Sequence, residues 1–149
     1  MGELASEQVG GVAKATLLNA VSVVVPVFNE ENGVAQTLNE LYRVLAQTGD
    51  VYEIVVVDDG SRDRTADILT ARSDIQLLQH RRNRGYGAAL KTGIAHARYP
   101  LVAITDADGT YPNERLSELL VLTQEAGMVA GARTGANVKS AGVIKLQMM

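Results

Sequence analysis

Three short apolar runs, each stopped by a polar or acidic cluster, constrain this chain more than any other feature. Val21-Ser22-Val23-Val24-Val25-Pro26-Val27 runs into Phe28-Asn29-Glu30, residues 52–57 run into Asp58-Asp59, and Leu101-Val102-Ala103-Ile104-Thr105 runs into Asp106-Ala107-Asp108. Runs this short and this rich in β-branched residues read as strands buried on both faces of a parallel sheet. The segments between them carry a helical period. Val34, Leu38, Leu41 and Leu45 are spaced for one helix, which Gly49 stops. A short helix passes through Ala66, Ile68 and Leu69, and a longer one spans about 86–97. Residues 75–79 read as a weaker strand and 128–132 as a further one. Pro112 suits the first turn of a helix whose apolar stripe is Leu116, Leu119 and Leu120. Strands alternating with helices predict an α/β fold with a mostly parallel sheet flanked by helices.

Right-handed crossovers place the carboxyl ends of parallel strands on one side, where open α/β sheets bind ligands. The polar clusters therefore meet at one edge, and Asp106-Ala107-Asp108 is the sharpest of them. Side chains at i and i+2 of an extended segment share a side, so both carboxylates are expected to converge just past the strand. Two like charges a few ångströms apart cost on the order of 1 kcal/mol in water and several times that in a cleft. A cation between them relieves that cost. Hard oxygen ligands in an open site suit Mg2+ or Mn2+, with water and substrate phosphate completing the shell. The alternative is a solvated turn rich in Asp and Gly.

Bulk properties remove several function classes. The chain has 149 residues, 46% hydrophobic and 21% charged, as one soluble globular domain does. A net charge of -3 and the lack of a long basic run give no support for nucleic-acid binding. With no cysteine there is no disulfide, thiolate zinc site or cysteine nucleophile. No stretch approaches the roughly 18 apolar residues that span a bilayer. The amino terminus carries Glu3 and Glu7 and lacks a basic region, unlike a secretory signal. The expected setting is cytoplasmic.

The stretch Arg84-Gly85-Tyr86-Gly87-Ala88-Ala89-Leu90-Lys91-Thr92-Gly93 invites two nucleotide-motif readings, and both fail at Leu90. A phosphate-binding P-loop needs Gly before its Lys-Thr pair, and a dinucleotide fingerprint needs a small residue there. The glycines either allow a tightly packed helix start or let the basic loop Arg81-Arg82-Asn83-Arg84 approach a phosphate-bearing ligand. Lys91 is a surface lysine or a phosphate contact. His80 and His96 lack the spacing of a metal pair and read as structural. Ser61 is placed to cap the following helix, and no histidine is positioned to activate it.

Taken in order, Val24-Val25-Pro26-Val27-Phe28-Asn29-Glu30-Glu31, Val56-Val57-Asp58-Asp59-Gly60-Ser61, Asn83-Arg84-Gly85-Tyr86-Gly87-Ala88-Ala89, Asp106-Ala107-Asp108-Gly109 and Gly131-Ala132-Arg133 resemble the family 2 glycosyltransferases of GT-A fold. Within them the chain is most similar to the dolichol-phosphate mannosyltransferase and polyprenyl-phosphate glycosyltransferase branch. The resemblance covers about residues 21–135 and implies roles. Pro26, Phe28 and Glu30 would line the nucleoside pocket, Asp58 would read the base or ribose, and Val56 would contact it through its backbone. Asp106 and Asp108 would hold Mg2+ or Mn2+ against the donor diphosphate, with Ala107 packed close to the nucleotide. Arg133 would pair with donor phosphate. The implied reaction is inverting transfer of a hexose from a donor of GDP-mannose or UDP-glucose type to a polyprenyl phosphate at a membrane surface.

Residues 1–20, Gly- and Ala-rich with weak periodicity, read as a partly ordered lead-in, and the resemblance implies an N-terminal nucleotide-sugar-binding part over residues 21–135, followed by an irregular tail over 136–149. Where some relatives carry an amide after the acidic triplet, this chain has Thr110-Tyr111-Pro112. The family's domain continues past the Gly-x-Arg motif into segments that build the acceptor site, so the chain reads as truncated. Three functions follow: a metal-dependent transferase, peripheral at the cytoplasmic membrane face; an inactive fragment or half-site that binds nucleoside diphosphate, with uncovered apolar surface favouring self-association; or a sugar-nucleotide pyrophosphorylase. The last expects a Gly-rich basic loop after the first strand, whereas Pro26-Val27-Phe28-Asn29-Glu30 is acidic and Gly-free.

Overall fold

The computed structural model describes residues 20–109 and 112–131. Its elements are β1 (Val21–Val27), α1 (Val34–Thr48), β2 (Tyr52–Asp58), α2 (Thr65–Thr70), β3 (Gln76–Gln79), α3 (Tyr86–Ala95) and β4 (Leu101–Ile104), then a 3-10 turn (Asn113–Arg115) leading into α4 (Leu116–Leu122). The four strands are parallel in the order β3-β2-β1-β4, with Val24 of β1 opposite Val55 on one side and Ile104 on the other. Two crossovers step outward from β1, and the third returns across it to add β4 on the far side. That reversal puts the topological switch point between β1 and β4.

Alternation along the strands builds a core on each face of the sheet. Val21, Val23, Val25 and Val27 pack with Val34, Leu38, Leu41 and Leu45 of α1, Leu69 of α2, and Leu116 and Leu120 of α4. Val24, Val55, Val102 and Ile104 face the other way, against Leu90 and Ile94 of α3. Each such side chain contributes about 1.5–3 kcal/mol by leaving water. Helix α3 lies close on its face because Gly93 has no side chain: a Cβ there would sit 2.4 Å from Val24 Cγ1 and 3.1 Å from Val57 Cγ2. Gly49 ends α1 in the left-handed conformation (φ 72), the stop expected of it.

Pro26 shows how β1 accommodates a residue with no N–H. The Val24 carbonyl accepts from Thr105 N, so alternate residues of β1 turn their backbone groups toward β4. The β1–β4 ladder ends at Val24 and Ile104, so Pro26 faces that side where no partner strand remains. One sequence expectation is overturned. Residues 128–131 form no strand, although Val129 packs against the core. Apolar content makes a strand only where a ladder satisfies its backbone, and among the described residues none lies alongside this stretch. Val121, Leu122 and Met128 are exposed apolar residues in the same region. No helix among the described residues is long and apolar enough to cross a membrane.

Candidate functional site

The carboxyl ends of β2, β1 and β4 stand side by side, so the clusters that follow them share one edge. The loop after β1 is laced to the loop after β2. Asn29 takes a left-handed backbone (φ 50), which asparagine tolerates better than most residues. Its Oδ1 accepts from Arg62 N at 2.9 Å, and its own N–H donates to Ser61 Oγ at 2.9 Å. Glu30 N donates to Thr65 Oγ1 at 2.9 Å, and the Glu31 carboxylate accepts from Arg64 N at 3.0 Å. Ser61 thus joins two loops rather than capping α2, whose N-cap residue Arg64 makes no side-chain cap bond. The lacing leaves Phe28 at the rim, 42% exposed.

The Asp58-Asp59 pair splits in two directions, as neighbours at a strand end must. Asp58 Oδ1 accepts from Ser61 N at 3.0 Å, which shapes the turn through Gly60. Asp59 turns the other way and is almost fully buried. Its Oδ1 accepts from His80 Nδ1 at 2.6 Å and from Arg84 N at 2.9 Å, and its Oδ2 from Gly85 N at 2.9 Å. His80 Nε2 pairs with Thr92 Oγ1 of α3 at 2.9 Å, so the histidine is structural, as its surroundings in the sequence led us to expect. Burial alone would raise the Asp59 carboxyl, but the bonds from His80, Arg84 and Gly85 and the His80 charge hold it below its usual value. Gly60 belongs to the same clamp: with φ 75, a Cβ there would lie 2.4 Å from the Arg82 carbonyl carbon.

The acidic triplet lies beyond β4, which ends at Ile104, so strand alternation no longer governs it. A bend takes its place. Ala107 turns into the core at 2% exposure, and its carbonyl accepts from Thr37 Oγ1 at 3.1 Å. Gly33 abuts the same oxygen, which a Cβ there would approach to 3.3 Å. Asp106 and Asp108 flank this anchor, the first half-buried and the second exposed. Burial first, and then the charges of Asp108, Asp63 and Asp106, raise the Glu30 carboxyl above its usual 4.5. Glu30 therefore lies within electrostatic reach of both triplet carboxylates. Tyr86, the first residue of α3, donates its hydroxyl to Asp106 Oδ1 at 3.1 Å. Below the bend, buried Thr105 donates to Asn113 Oδ1 at 2.8 Å.

Phe28, Glu30, Asp58, Asp106, Ala107 and Asp108 are thus gathered at the ends of three neighbouring strands. Pro26 lies buried just inside that edge, and Val56 is fully buried within the ladder, opposite Val25 and Leu77. Arg133 falls outside the described residues. Among the described residues, no group of three or more His, Asp or Glu side chains lies close enough to hold an ion alone. The arrangement instead places the Asp106 and Asp108 carboxylates on either side of Ala107, each within electrostatic reach of Glu30. Lys91 is exposed, and Gly85 and Gly87 have no atom within 4 Å of an added Cβ, so tight packing does not explain these two glycines. Sequence reasoning assigned no role to Asp59 or Tyr86. Alternation past Asp58 could have revealed Asp59, whereas nothing local pointed to Tyr86.

A family model described as Glycosyl transferase family 2 matches residues 22–148. An undecaprenyl-phosphate 4-deoxy-4-formamido-L-arabinose transferase of Pseudomonas aeruginosa is 35% identical over 120 residues, covering 77% of this chain and 35% of that protein. A dolichyl-phosphate beta-glucosyltransferase of Trichomonas vaginalis is 38% identical over 130 residues, covering 76% and 39%. Among solved structures, a mannosyltransferase from Pyrobaculum calidifontis in complex with GDP-Man and Mn2+ superposes with a TM-score of 0.63 at 28% identity, covering 78% of this chain and 35% of that one. The chain therefore spans little more than a third of the length of these proteins.

Proposed function

This chain belongs to glycosyl transferase family 2 and has part of the GT-A fold, and from that premise we propose that its described edge is the donor side of a polyprenyl-phosphate hexosyltransferase. One observation carries the reading: the Asp106-Ala107-Asp108 bend stands at the β1–β4 switch point, with its carboxylates close enough to Glu30 to raise that group. Phe28, Glu30 and Asp58 would hold the nucleoside, and Asp106 and Asp108 would face the diphosphate through Mg2+ or Mn2+. The donor set fits such an ion. Two hard carboxylates crowded by a third acid gain from a cation, and Mg2+ usually takes one or two protein carboxylates plus substrate phosphates. When bound, it supplies neutralisation of the charge that builds on the leaving diphosphate.

In the reaction an acceptor phosphate oxygen forms the new bond to the anomeric carbon while the bond from that carbon to the donor diphosphate breaks. The acceptor is already anionic at neutral pH, so no side chain need remove a proton. The described site, which offers carboxylates and no catalytic histidine among the described residues, suits that chemistry. The Pseudomonas and Trichomonas relatives are transferases acting with undecaprenyl and dolichyl phosphate, which supports this acceptor class. Donor binding is proposed for this chain, and transfer for the longer domain of which it matches about a third.

The reading is tested by titration calorimetry of GDP and UDP with and without Mn2+. Tighter binding with Mn2+, abolished in Asp106→Ala and Asp108→Ala, is the expected result. Equal affinity with and without the metal would remove the metal site from the proposal.

A further inference from the structure

The segment that links β3 to α3 is clamped more firmly than a surface loop requires. Asp59 takes the amides of Arg84 and Gly85, and His80 ties the same carboxylate to Thr92, within α3. Gly60 leaves room for the loop backbone to lie against it, and Gly85 enters the helix at φ 100, a left-handed value that favours glycine. These constraints converge on one residue. Tyr86 follows the two clamped amides directly, opens α3, and reaches across the switch point to Asp106 Oδ1 at 3.1 Å. Its ring is 54% exposed, so the contact is not a product of core packing. Gly87 beside it has nothing within 4 Å of an added Cβ.

We propose that Tyr86 is a positioning residue for Asp106, holding that carboxylate toward the cation and diphosphate before either arrives. The inference rests on the reading of Asp106 and Asp108 as metal ligands. An aspartate in the company of Asp108 and Glu30 is pushed to rotate away from them. A hydroxyl donating to one oxygen opposes that rotation and fixes the orientation of the carboxylate. Because Asp59 fixes the backbone just before Tyr86, the same clamp couples the nucleoside side of the edge, at Asp58, to the diphosphate side at Asp106.

Tyr86→Phe in the full chain tests this, since it removes only the hydroxyl from an exposed ring. Mn2+ affinity is read from the electron paramagnetic resonance of free Mn2+ in the presence of UDP or GDP, and metal-free nucleotide affinity by calorimetry. Partners of metal ligands typically set about 10–100-fold of metal affinity. The expected outcome is a loss of about tenfold or more in Mn2+ affinity with metal-free nucleotide binding unchanged. Equal Mn2+ affinity in the variant would overturn the role of Tyr86 alone. Parallel loss of both affinities would also overturn it, by reducing the residue to a structural one. Absence of Mn2+ binding to the unaltered chain would bring down the metal reading, and the role of Tyr86 with it.

Discussion

Asp59→Asn is the sharpest test of how the basic loop is held, because it changes one atom of a buried clamp. The carboxylate side chain is only 4% exposed and accepts from His80 Nδ1, Arg84 N and Gly85 N. An amide can keep its oxygen toward His80 and Arg84 only by turning its NH2 onto the Gly85 N–H. That arrangement buries two donors face to face. Each unsatisfied buried donor costs about 1–3 kcal/mol, and the two remaining bonds lose the charge that made them strong. The total is about 3–5 kcal/mol, a large part of the roughly 5–15 kcal/mol that stabilises an ordinary domain. Urea denaturation at pH 7 measures the loss, and hydrogen exchange at the Arg84 and Gly85 amides locates it.

The pH dependence has a definite sign. Asp59 is held below its usual value in the fold, so its contribution is full above the unfolded carboxyl range and fades as pH falls through the lower folded value. The gap between wild type and variant should therefore narrow in acid below about pH 4. A variant within about 1 kcal/mol of wild type at pH 7, with both amides still protected, would refute the clamp.

Three further variants probe the packing and the acidic edge. Gly93→Ala would drive a methyl into Val24 and Val57, whose branched side chains have little freedom to move. It should cost about 1–3 kcal/mol in thermal or urea denaturation, while Gly87→Ala, with open space around it, should leave stability equal or slightly higher. Glu30→Gln removes a carboxyl that burial and its acidic neighbours raise above 4.5. A carboxyl raised in the fold costs stability when ionised, so the variant should melt higher than wild type at pH 8, with the advantage disappearing as pH falls through the raised value toward 4.5. A constant difference across that range would show that the acidic cluster does not set the Glu30 environment.

The strands and their polar ends were legible because each is written in its own residues. Val21–Val27 is a β-branched run that no helix would prefer, and the acids that follow β2 and β4 mark where those strands stop. The same reasoning failed at residues 128–131, where a short apolar stretch mimics a strand without a ladder. It placed the acidic triplet just past a strand end, and the structure adds what holds it there. Strand alternation ends at Ile104, and the carboxylates are presented by a bend whose anchor, Ala107, is held by Thr37 from α1.

What the sequence conceals is long-range bonding between loops, and that is where the site acquires its shape. Asn29 meets Arg62 across 33 positions, Asp59 meets Gly85 across 26, and Tyr86 meets Asp106 across 20. None of these pairs has a periodicity or motif that would reveal it, because a bond between distant segments depends on the sheet order β3-β2-β1-β4 rather than on local spacing. The apolar layers beneath are built from side chains that work independently of these bonds. A change at Asn29 or Tyr86 should therefore disturb ligand binding well before it disturbs folding, whereas a change at Val24 or Leu38 does the reverse. Asp59 is the exception. Its carboxylate is buried with the core but bonded to the loop, so at that position stability and site geometry are lost together.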